Sequence, residues 1–197
     1  MSNIVLREQG DSVAIPQAGM ELSEYTPGET KIRAILQWNA EVDLDVHAFY
    51  RPKGGGKDGH VFFQSKGSKS KAPYIHLDKD MGVGNVGGDN QEIITIGTLA
   101  KVDSILIATN IFRFFGFLAE GDNFGKYDGK IKLVTSASNQ IDVPLTSRTP
   151  GRWCVIALID NSDPYSPIVT NINKVTDTEP KIDDYLDKDV LELTYEE

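Results

Sequence analysis

Short runs of alternating apolar and polar residues, separated by turn-forming residues, recur along almost the whole chain and constrain its fold more than any other feature. In the run IRAILQW, apolar side chains stand at positions 32, 34, 36 and 38, so they share one face of an extended strand. The segments between runs, such as RPKGGGKDG and KGSKSKAP, are rich in residues that favour turns. Because no long amphipathic helix pattern interrupts the runs, we expect a chain that is nearly all β.

Twelve segments are predicted to form strands. They are residues 4–8, 12–16, 31–38, 44–50, 60–64, 73–77, 92–97, 104–112, 130–135, 140–145, 152–160 and 168–175. The polar connection at 136–139 joins two alternating runs and predicts a hairpin. Many short strands joined by turns favour two packed sheets. We therefore predict an all-β fold, a two-sheet antiparallel β-sandwich with a glycine-rich acidic loop.

The charged C-terminal end sets the expected domain boundary. The last residues, DTEPKIDDYLDKDVLELTYEE, are acidic and carry only scattered apolar positions. We predict a β-sandwich domain over residues 1–176 and an acidic tail over 177–197, with one short helical or strand turn at 190–195.

Charge and cysteine content exclude several classes of function. With 29 acidic and 20 basic residues the formal net charge is −9, which argues against a nucleic-acid partner, because such binding relies on lysine and arginine. The single cysteine, Cys154, lies in the apolar run WCVIALI and is interpreted as a buried structural thiol, as expected of a cytoplasmic protein. No apolar run is long enough to span a membrane and no secretion signal is recognisable, so we expect neither export nor direct membrane insertion.

A pair of aspartates, Asp43 and Asp45, opens one of the predicted strands. Residues two apart in a strand point to the same side, about 7 Å apart at the backbone, so both carboxylates can converge on one ion. A solvated acidic face at the end of a strand is the alternative interpretation.

The segment HLDKDMGVGNVGGDNQEI, residues 76–93, combines glycine with oxygen-bearing side chains. Its aspartates are spaced like the oxygen ligands of a calcium loop, although valine and aspartate replace the glycine and glutamate that an EF-hand requires. Ca²⁺ takes six to eight oxygen ligands at about 2.3–2.6 Å, and glycine lets the chain fold around it. The alternative is a surface turn whose Asp and Asn side chains cap backbone amides. If one ion lies between the strand head and the loop, most of its counter-charge comes from Asp43, Asp45, Asp80 and Asp89.

Other chemistries find less support in the sequence. The three histidines, His47, His60 and His76, are too scattered to predict a zinc site, and each is expected to pack or hydrogen-bond on its strand. Neither a phosphate-binding glycine motif nor a G-x-S-x-G nucleophile motif is present. A metal-dependent hydrolase is a minor alternative, since it needs a metal with an open coordination position beside a base.

An aromatic run, IFRFFGFL at residues 111–118, is a candidate partner-binding surface. Its large apolar residues continue past the point where the strand should end. Phe114 and Phe117 could dock a partner protein, or the phenylalanines of this run could close one end of the core.

Several motifs follow one another in a specific order along residues 6–175. They are LQWNAEVDLDVHAF, HVFF, the segment from HLDKD to GDNQEI, ILIATNIF, NFGKYDGKIKLVTSASNQIDVPL and a final GRW strand. In this order they resemble the TerD family of tellurium-resistance and stress proteins, most of all its TerA-type branch.

The resemblance implies a calcium-binding β-sandwich without known enzymatic activity, encoded among genes for resistance to tellurite, phage and pore-forming colicins. It also implies partners among other tellurium-resistance proteins, one of them membrane-bound. The expected location is the cytoplasm, with peripheral association at the inner face of the membrane as a further expectation.

The metal-binding positions of the family carry over onto residues of this chain. The acidic strand pair of the family matches Asp43 and Asp45, its first loop oxygens match Asp78 and Asp80, and its G-D-D-E motif matches residues 88–91. The metal ligands that the resemblance implies are therefore Asp43, Asp45, Asp78, Asp80, Asp89 and Asn90.

Departures from the family pattern predict a weaker calcium site. Asn90 and Gln91 are carboxamides where the family has carboxylates, and Lys79 adds a positive charge. Affinity for Ca²⁺ follows the charge of the ligands. The leading hypothesis is a non-enzymatic calcium-binding protein of a tellurite-resistance and envelope-stress system. The alternative is an interaction module that has lost calcium binding and docks partner proteins of the same complex.

Overall fold

The structure, a computed structural model, describes residues 3–15, 31–112 and 122–186. Twelve strands and two short 3₁₀ turns, Phe124–Lys126 and Ile182–Tyr185, make up its regular structure. The strands are β1 (Asn3–Val5), β2 (Ser12–Ala14), β3 (Ile32–Trp38), β4 (Asp43–Pro52), β5 (Gly59–Val61), β6 (Ile75–Lys79), β7 (Asn90–Ile96), β8 (Val102–Phe112), β9 (Lys130–Thr135), β10 (Gln140–Pro144), β11 (Trp153–Asp160) and β12 (Ile168–Thr176). Each predicted strand overlaps one of these, so the all-β prediction is confirmed.

The strands form two six-stranded sheets. The first sheet has the order β1-β10-β9-β3-β7-β6, and the second has the order β2-β12-β11-β8-β4-β5. All neighbouring strands are antiparallel except β1 and β10, which pair in parallel at one edge of the first sheet. The predicted two-sheet antiparallel β-sandwich is therefore confirmed, with one parallel edge pair added.

The main core takes alternate side chains from both sheets, as the period-two pattern requires. Leu36 and Ile94 come from the first sheet, and Val46 and Ile107 come from the second. The hairpin predicted around residues 136–139 is formed by β9 and β10 and is confirmed. Because burying each such aliphatic side chain is worth about 1.5–3 kcal/mol, the alternation of apolar residues is sufficient to select this arrangement.

Strand β11 is buried on both faces. A bulge between Val155 and Ala157 shifts its alternation, so Ile156 and Ala157 both belong to the main core, while Val155 and Leu158 belong to a second apolar cluster. Cys154 lies in the main core, where burial raises the pKa of its thiol to about 12. The prediction of a buried structural thiol is confirmed.

The second apolar cluster is completed by residues 177–186, here called the C-terminal strap. Ile182 and Tyr185 of the strap are buried in this cluster together with Trp153. The Arg51 guanidinium on β4 forms an ion pair with Asp183 of the strap. The first half of the predicted tail therefore packs against the second sheet, while the turn predicted at 190–195 lies outside the described residues.

The meeting of β4 with the first sheet creates the candidate site. Strand β5 pairs only with residues 48–50 of β4, so residues 43–47 pair with β8 on one side and approach β7 of the first sheet on the other. The connection from β6 to β7 passes this edge, where Val83 forms a bridge with Asp43. Within the part of the chain that the structure describes, no helix is long and apolar enough to cross a membrane.

Candidate metal centre

The connection between β6 and β7, residues 80–89, is here called the glycine loop. Its backbone is held to the β3–β4 connection, because the Gly84 N–H donates a hydrogen bond to Val42 O at 2.9 Å. A Cβ atom at Gly84 would lie 2.4 Å from Trp38 Nε1, closer than real side chains approach. The close contact explains why glycine occupies this position, and it fixes the loop beside the head of β4.

Asn90 closes the base of the glycine loop. Its Nδ2 group donates to Trp38 O at 3.0 Å and to Asn85 O at 2.7 Å, and its Oδ1 accepts from the Asn85 N–H at 2.8 Å. The side chain is almost fully buried. Its amide group is thus committed to backbone partners, and the structure places it as a clamp of the loop and not among the carboxylates.

Three carboxylates from three different elements converge at the head of β4. Asp45 of β4, Asp80 of the glycine loop and Glu92 of β7 each have an oxygen within 4.8 Å of the others. Among the residues that the structure describes, this is the one group of three or more side chains that could hold a metal ion. A cavity of about 120 Å³ lies against it, lined by Asp43, Asp45, Phe63, Asp80, Gly82 and Phe112. Asp43, Asp45, Asp80 and Glu92 are here called the metal centre.

Glu92 was not among the predicted ligands. It is only 1% exposed. Its Oε2 accepts from the Val46 N–H at 2.7 Å and its Oε1 accepts from the Met81 N–H at 3.1 Å. The family motif corresponds to residues 88–91, which end just before Glu92. The available signal was alternation, because Asn90, Glu92, Ile94 and Ile96 share the buried side of β7, where a glutamate is exceptional.

Burial and mutual repulsion disfavour the ionised form of the carboxyl groups in the metal centre. Burial, together with repulsion from Asp43 and Asp80, raises the pKa of Asp45 to about 7. Burial raises the pKa of Glu92 to about 8, with the amide hydrogen bonds opposing the shift and the charges of Asp45 and Asp80 adding to it. Burial and the Asp80 charge also raise the pKa of Asp43. A bound cation would remove this penalty, since it favours the charged carboxylates.

The donor set fits a hard divalent cation. Asp43 Oδ1 and Asp45 Oδ2 are buried and have no hydrogen-bond partner among the described residues. Buried polar atoms without partners are rare and costly, and a metal ion would satisfy both. All four side chains of the metal centre offer oxygen, which suits Ca²⁺ better than zinc or copper. The Lys66 ammonium, with its Nζ 3.5 Å from Asp80 Oδ2, is a positive charge at the margin of the centre.

Two of the predicted ligands, Asp78 and Asp89, lie apart from the metal centre. Asp78 forms an ion pair with Lys69, accepts a hydrogen bond from the Thr95 hydroxyl and lies 3.2 Å from His76 Nδ1. Burial opposes the shift, but these partners lower the pKa of Asp78 overall. Asp89 is exposed at the end of the glycine loop. The structure thus brings together Asp43, Asp45 and Asp80 of the predicted set, and it does not bring Asp78, Asp89 or Asn90 to the cluster.

Two of the histidines that seemed scattered meet in the structure. Because Phe49 and His60 are paired across β4 and β5, His47 Nδ1 lies 2.8 Å from His60 Nε2. Burial and the neighbouring His60 lower the pKa of His47 to about 3, and burial lowers that of His60 to about 4, so both are neutral at pH 7. The spacing of the histidines does not reveal this contact, but both side chains pack and hydrogen-bond as expected, and within the described residues no further ligand joins them to form a metal group.

The predicted partner-binding residues, Phe114 and Phe117, lie outside the described residues. The preceding Phe112, at the end of β8, contacts Phe63 with ring centroids 5.9 Å apart, and both rings line the cavity of the metal centre. An aromatic wall therefore stands beside the carboxylates.

Solved structures that are similar to this chain include the following two. One is SAV2460, a protein of unknown function, with 14% sequence identity and a TM-score of 0.53, covering 76% of this chain and 93% of the other. The second is a homologue of the telluride resistance protein TerD, SCO6318 from Streptomyces coelicolor A3(2), with 12% identity and a TM-score of 0.51, covering 77% of this chain and 93% of the other. No protein-family model matches the chain, and no curated protein is significantly similar to it. At such identities the similarity supports a TerD-like fold and does not distinguish branches of the family.

Proposed function

We propose that this chain is a calcium-binding β-sandwich protein without enzymatic activity, acting as a structural or sensing subunit of a tellurite-resistance and envelope-stress system that also protects against phage and colicins. One observation carries the calcium half of the proposal: the buried Asp45 carboxylate has an oxygen without a partner and faces Asp80 and Glu92. The TerD-like fold shared with SCO6318 supports the link to tellurite resistance.

In this proposal Asp43, Asp45, Asp80 and Glu92 hold the ion. Ca²⁺ accepts six to eight oxygens in flexible geometry, whereas Mg²⁺ demands a near-ideal octahedron and keeps most of its waters. Two ligands on a strand, one on a glycine-rich loop and one on a second strand form an irregular set, which suits Ca²⁺ better. Coordination positions beyond these side chains are left to water or to an external ligand.

The ion supplies a positive charge that ties separate elements together. Asp45 belongs to the second sheet, Glu92 belongs to the first, and Asp80 belongs to the glycine loop. A cation between them offsets the repulsion among the carboxylates and cross-links the two sheets at one edge. A structural or sensing role follows, because occupancy of the centre then controls how firmly the glycine loop is held.

The finer assignments extend the same proposal. We place the chain in the TerA-type branch, in the cytoplasm, with other tellurium-resistance proteins as partners and one of them membrane-bound. The buried Cys154, with its raised pKa, is poorly suited to thiol chemistry on tellurite. This supports a role in assembly or sensing over direct detoxification.

Calorimetric titration of the metal-free protein with CaCl₂ tests the proposal. We expect saturable binding heat, accompanied by a higher melting temperature in calcium than in chelator, since a ligand of the native state stabilises it by RT ln(1 + [L]/Kd). If neither binding heat nor stabilisation is observed at millimolar calcium, the calcium half is wrong. The carboxamides at Asn90 and Gln91 would then favour the alternative, an interaction module that has lost calcium and docks partners of the same complex.

A further inference from the structure

Exposed apolar side chains are concentrated beside the metal centre. Val83 and Val86 of the glycine loop are 61% and 77% exposed, and they stand three residues apart. Val83 is fixed next to Asp43 by a backbone bridge. The partly exposed Phe112 lines the adjoining cavity. Elsewhere in the described residues, exposed large apolar side chains are spread over other elements and include Tyr165 and Ile168.

Lysines flank the same loop. Residues 66–71 run along β6, because the Leu77 N–H donates to Lys66 O and the Ser68 N–H donates to Ile75 O, both at 2.9 Å. The segment brings basic side chains to Asp78 of β6 and Asp80 of the glycine loop: Lys66 contacts Asp80, and Lys69 pairs with Asp78. In an acidic chain this is a local basic strip, made of Lys66 and Lys69.

Cation binding changes the charge of this face. Without an ion, the exposed Asp80 carboxylate holds the Lys66 ammonium and adds negative charge that repels an anionic surface. A divalent cation offsets the negative charge of the metal centre. It also draws Asp80 into coordination, which leaves the Lys66 ammonium available to another anion.

We propose that this face docks onto anionic phospholipid bilayers when calcium is bound. A lipid phosphate oxygen takes an open coordination position of the ion, Val83 and Val86 enter the interfacial region, and the lysines contact neighbouring headgroups. A bilayer surface offers phosphate groups for the cation and the basic strip. Beneath the headgroups it offers hydrocarbon for the two exposed valines of the glycine loop. The inference rests on the proposed calcium site.

Vesicle co-sedimentation of the full chain tests this docking. We expect binding to phosphatidylcholine vesicles containing phosphatidylglycerol in calcium, and little binding in chelator or to phosphatidylcholine alone. The double change Val83→Asn and Val86→Asn should weaken vesicle binding by about tenfold or more, because two apolar side chains no longer enter the interface. The matched control, Tyr165→Asn with Ile168→Asn, changes exposed apolar residues on another element and should leave binding unchanged.

The lysines are tested separately. Lys66→Gln with Lys69→Gln should reduce vesicle binding by about tenfold or more and lessen its dependence on salt, since basic residues near an anionic membrane contribute to the attraction. Lys101→Gln with Lys126→Gln removes equal charge from other exposed positions and should have little effect. An equal loss of vesicle binding in the two double variants would overturn the proposal of a specific docking face.

Calcium titration of the same variants without vesicles separates the two proposals. If wild type binds no calcium, the proposed metal centre fails, and the docking inference fails with it. If wild type and the valine variant bind calcium alike but neither binds phosphatidylglycerol vesicles, only the docking inference is overturned. The docking inference is also overturned if millimolar glycerol phosphate displaces wild type and the valine variant equally from vesicles. The site would then bind a single soluble phosphate and not a bilayer surface.

Discussion

Asp45 occupies a position in which its charge is poorly accommodated unless a cation is present. Its side chain is 6% exposed, one of its oxygens has no partner among the described residues, and three other acidic side chains surround it. A buried carboxylate is normally paired or protonated. The residue therefore offers a direct test of whether the cluster is organised around an ion.

The change Asp45→Asn should separate charge from shape at this position. In chelator we expect the variant to be at least as stable as wild type, because one repulsive charge is removed while the side-chain volume is kept. In calcium its gain in melting temperature should shrink markedly. Thermal unfolding under both conditions provides the measurement, and a full calcium response in Asp45→Asn would remove the strand head from the ligand set.

The metal-free protein should lose stability as the pH rises from about 6.5 to about 8. Asp45 and Glu92 have folded-state pKa values of about 7 and about 8, far above those of unfolded carboxyls, so the folded state binds more protons in this window. His47 and His60 have lowered folded-state pKa values, whereas unfolded histidine keeps a pKa of about 6.5, so their opposing contribution fades as the pH rises above about 7 and is smaller than that of the two carboxyls.

Urea unfolding in chelator at several pH values measures this slope. Saturating calcium should flatten it, because the ion holds the carboxylates in their charged form. The Glu92→Gln variant should retain only the part of the pH dependence that is due to Asp45. A metal-free stability that is constant or rises across this range would show that these two groups do not hold protons in the folded state.

At the level of elements, the glycine loop depends on Asn90 as a clamp. Asn90→Ala removes three hydrogen bonds between a buried amide and backbone groups, and we expect a loss of about 1–3 kcal/mol of stability even in chelator. Chemical denaturation of the metal-free protein checks this value. If Asn90→Ala leaves metal-free stability unchanged and abolishes only the calcium response, the residue is a ligand, as the family resemblance implies.

The C-terminal strap is an integral layer of the fold. Ile182→Ala should lower the free energy of unfolding by about 2–5 kcal/mol, because the side chain is buried in the second apolar cluster. Tyr165→Ala is a suitable control, since Tyr165 is 72% exposed and its truncation should change stability by about 0.5 kcal/mol or less. Equal stability of Ile182→Ala and wild type would mean that the strap contributes nothing to the folded state.

The local sequence pattern predicted the strands well. The features that it did not predict depend on tertiary contacts. Alternating apolar residues placed every strand, because a half-buried strand needs that periodicity. The packing of the C-terminal strap was not predicted, because Ile182 and Tyr185 anchor it without the alternation that marks a strand. The His47–His60 contact depends on the pairing of β4 with β5, which composition and spacing do not reveal.

For the whole molecule, the candidate site was predictable in location but only partly in membership. The convergence of the strand head with the glycine loop follows from the sequence, and the structure brings Asp43, Asp45 and Asp80 together there. Glu92 comes from the opposite sheet, so its place depends on how the two sheets pack. Asp80 and Asp89 are both exposed residues of the glycine loop, but only Asp80 has an oxygen near Asp45 and Glu92, since a loop's acidic composition does not fix the direction of each side chain.

The most direct test of the account is a calorimetric calcium titration of Asp80→Asn beside Asp89→Asn. Both changes remove one carboxylate from the same loop, but only Asp80 lies in the metal centre. We predict that Asp80→Asn weakens calcium binding at least about tenfold, while Asp89→Asn binds calcium nearly as wild type does. Equal weakening by the two changes, or a larger loss in Asp89→Asn, would contradict the convergence of Asp45, Asp80 and Glu92 on one calcium ion.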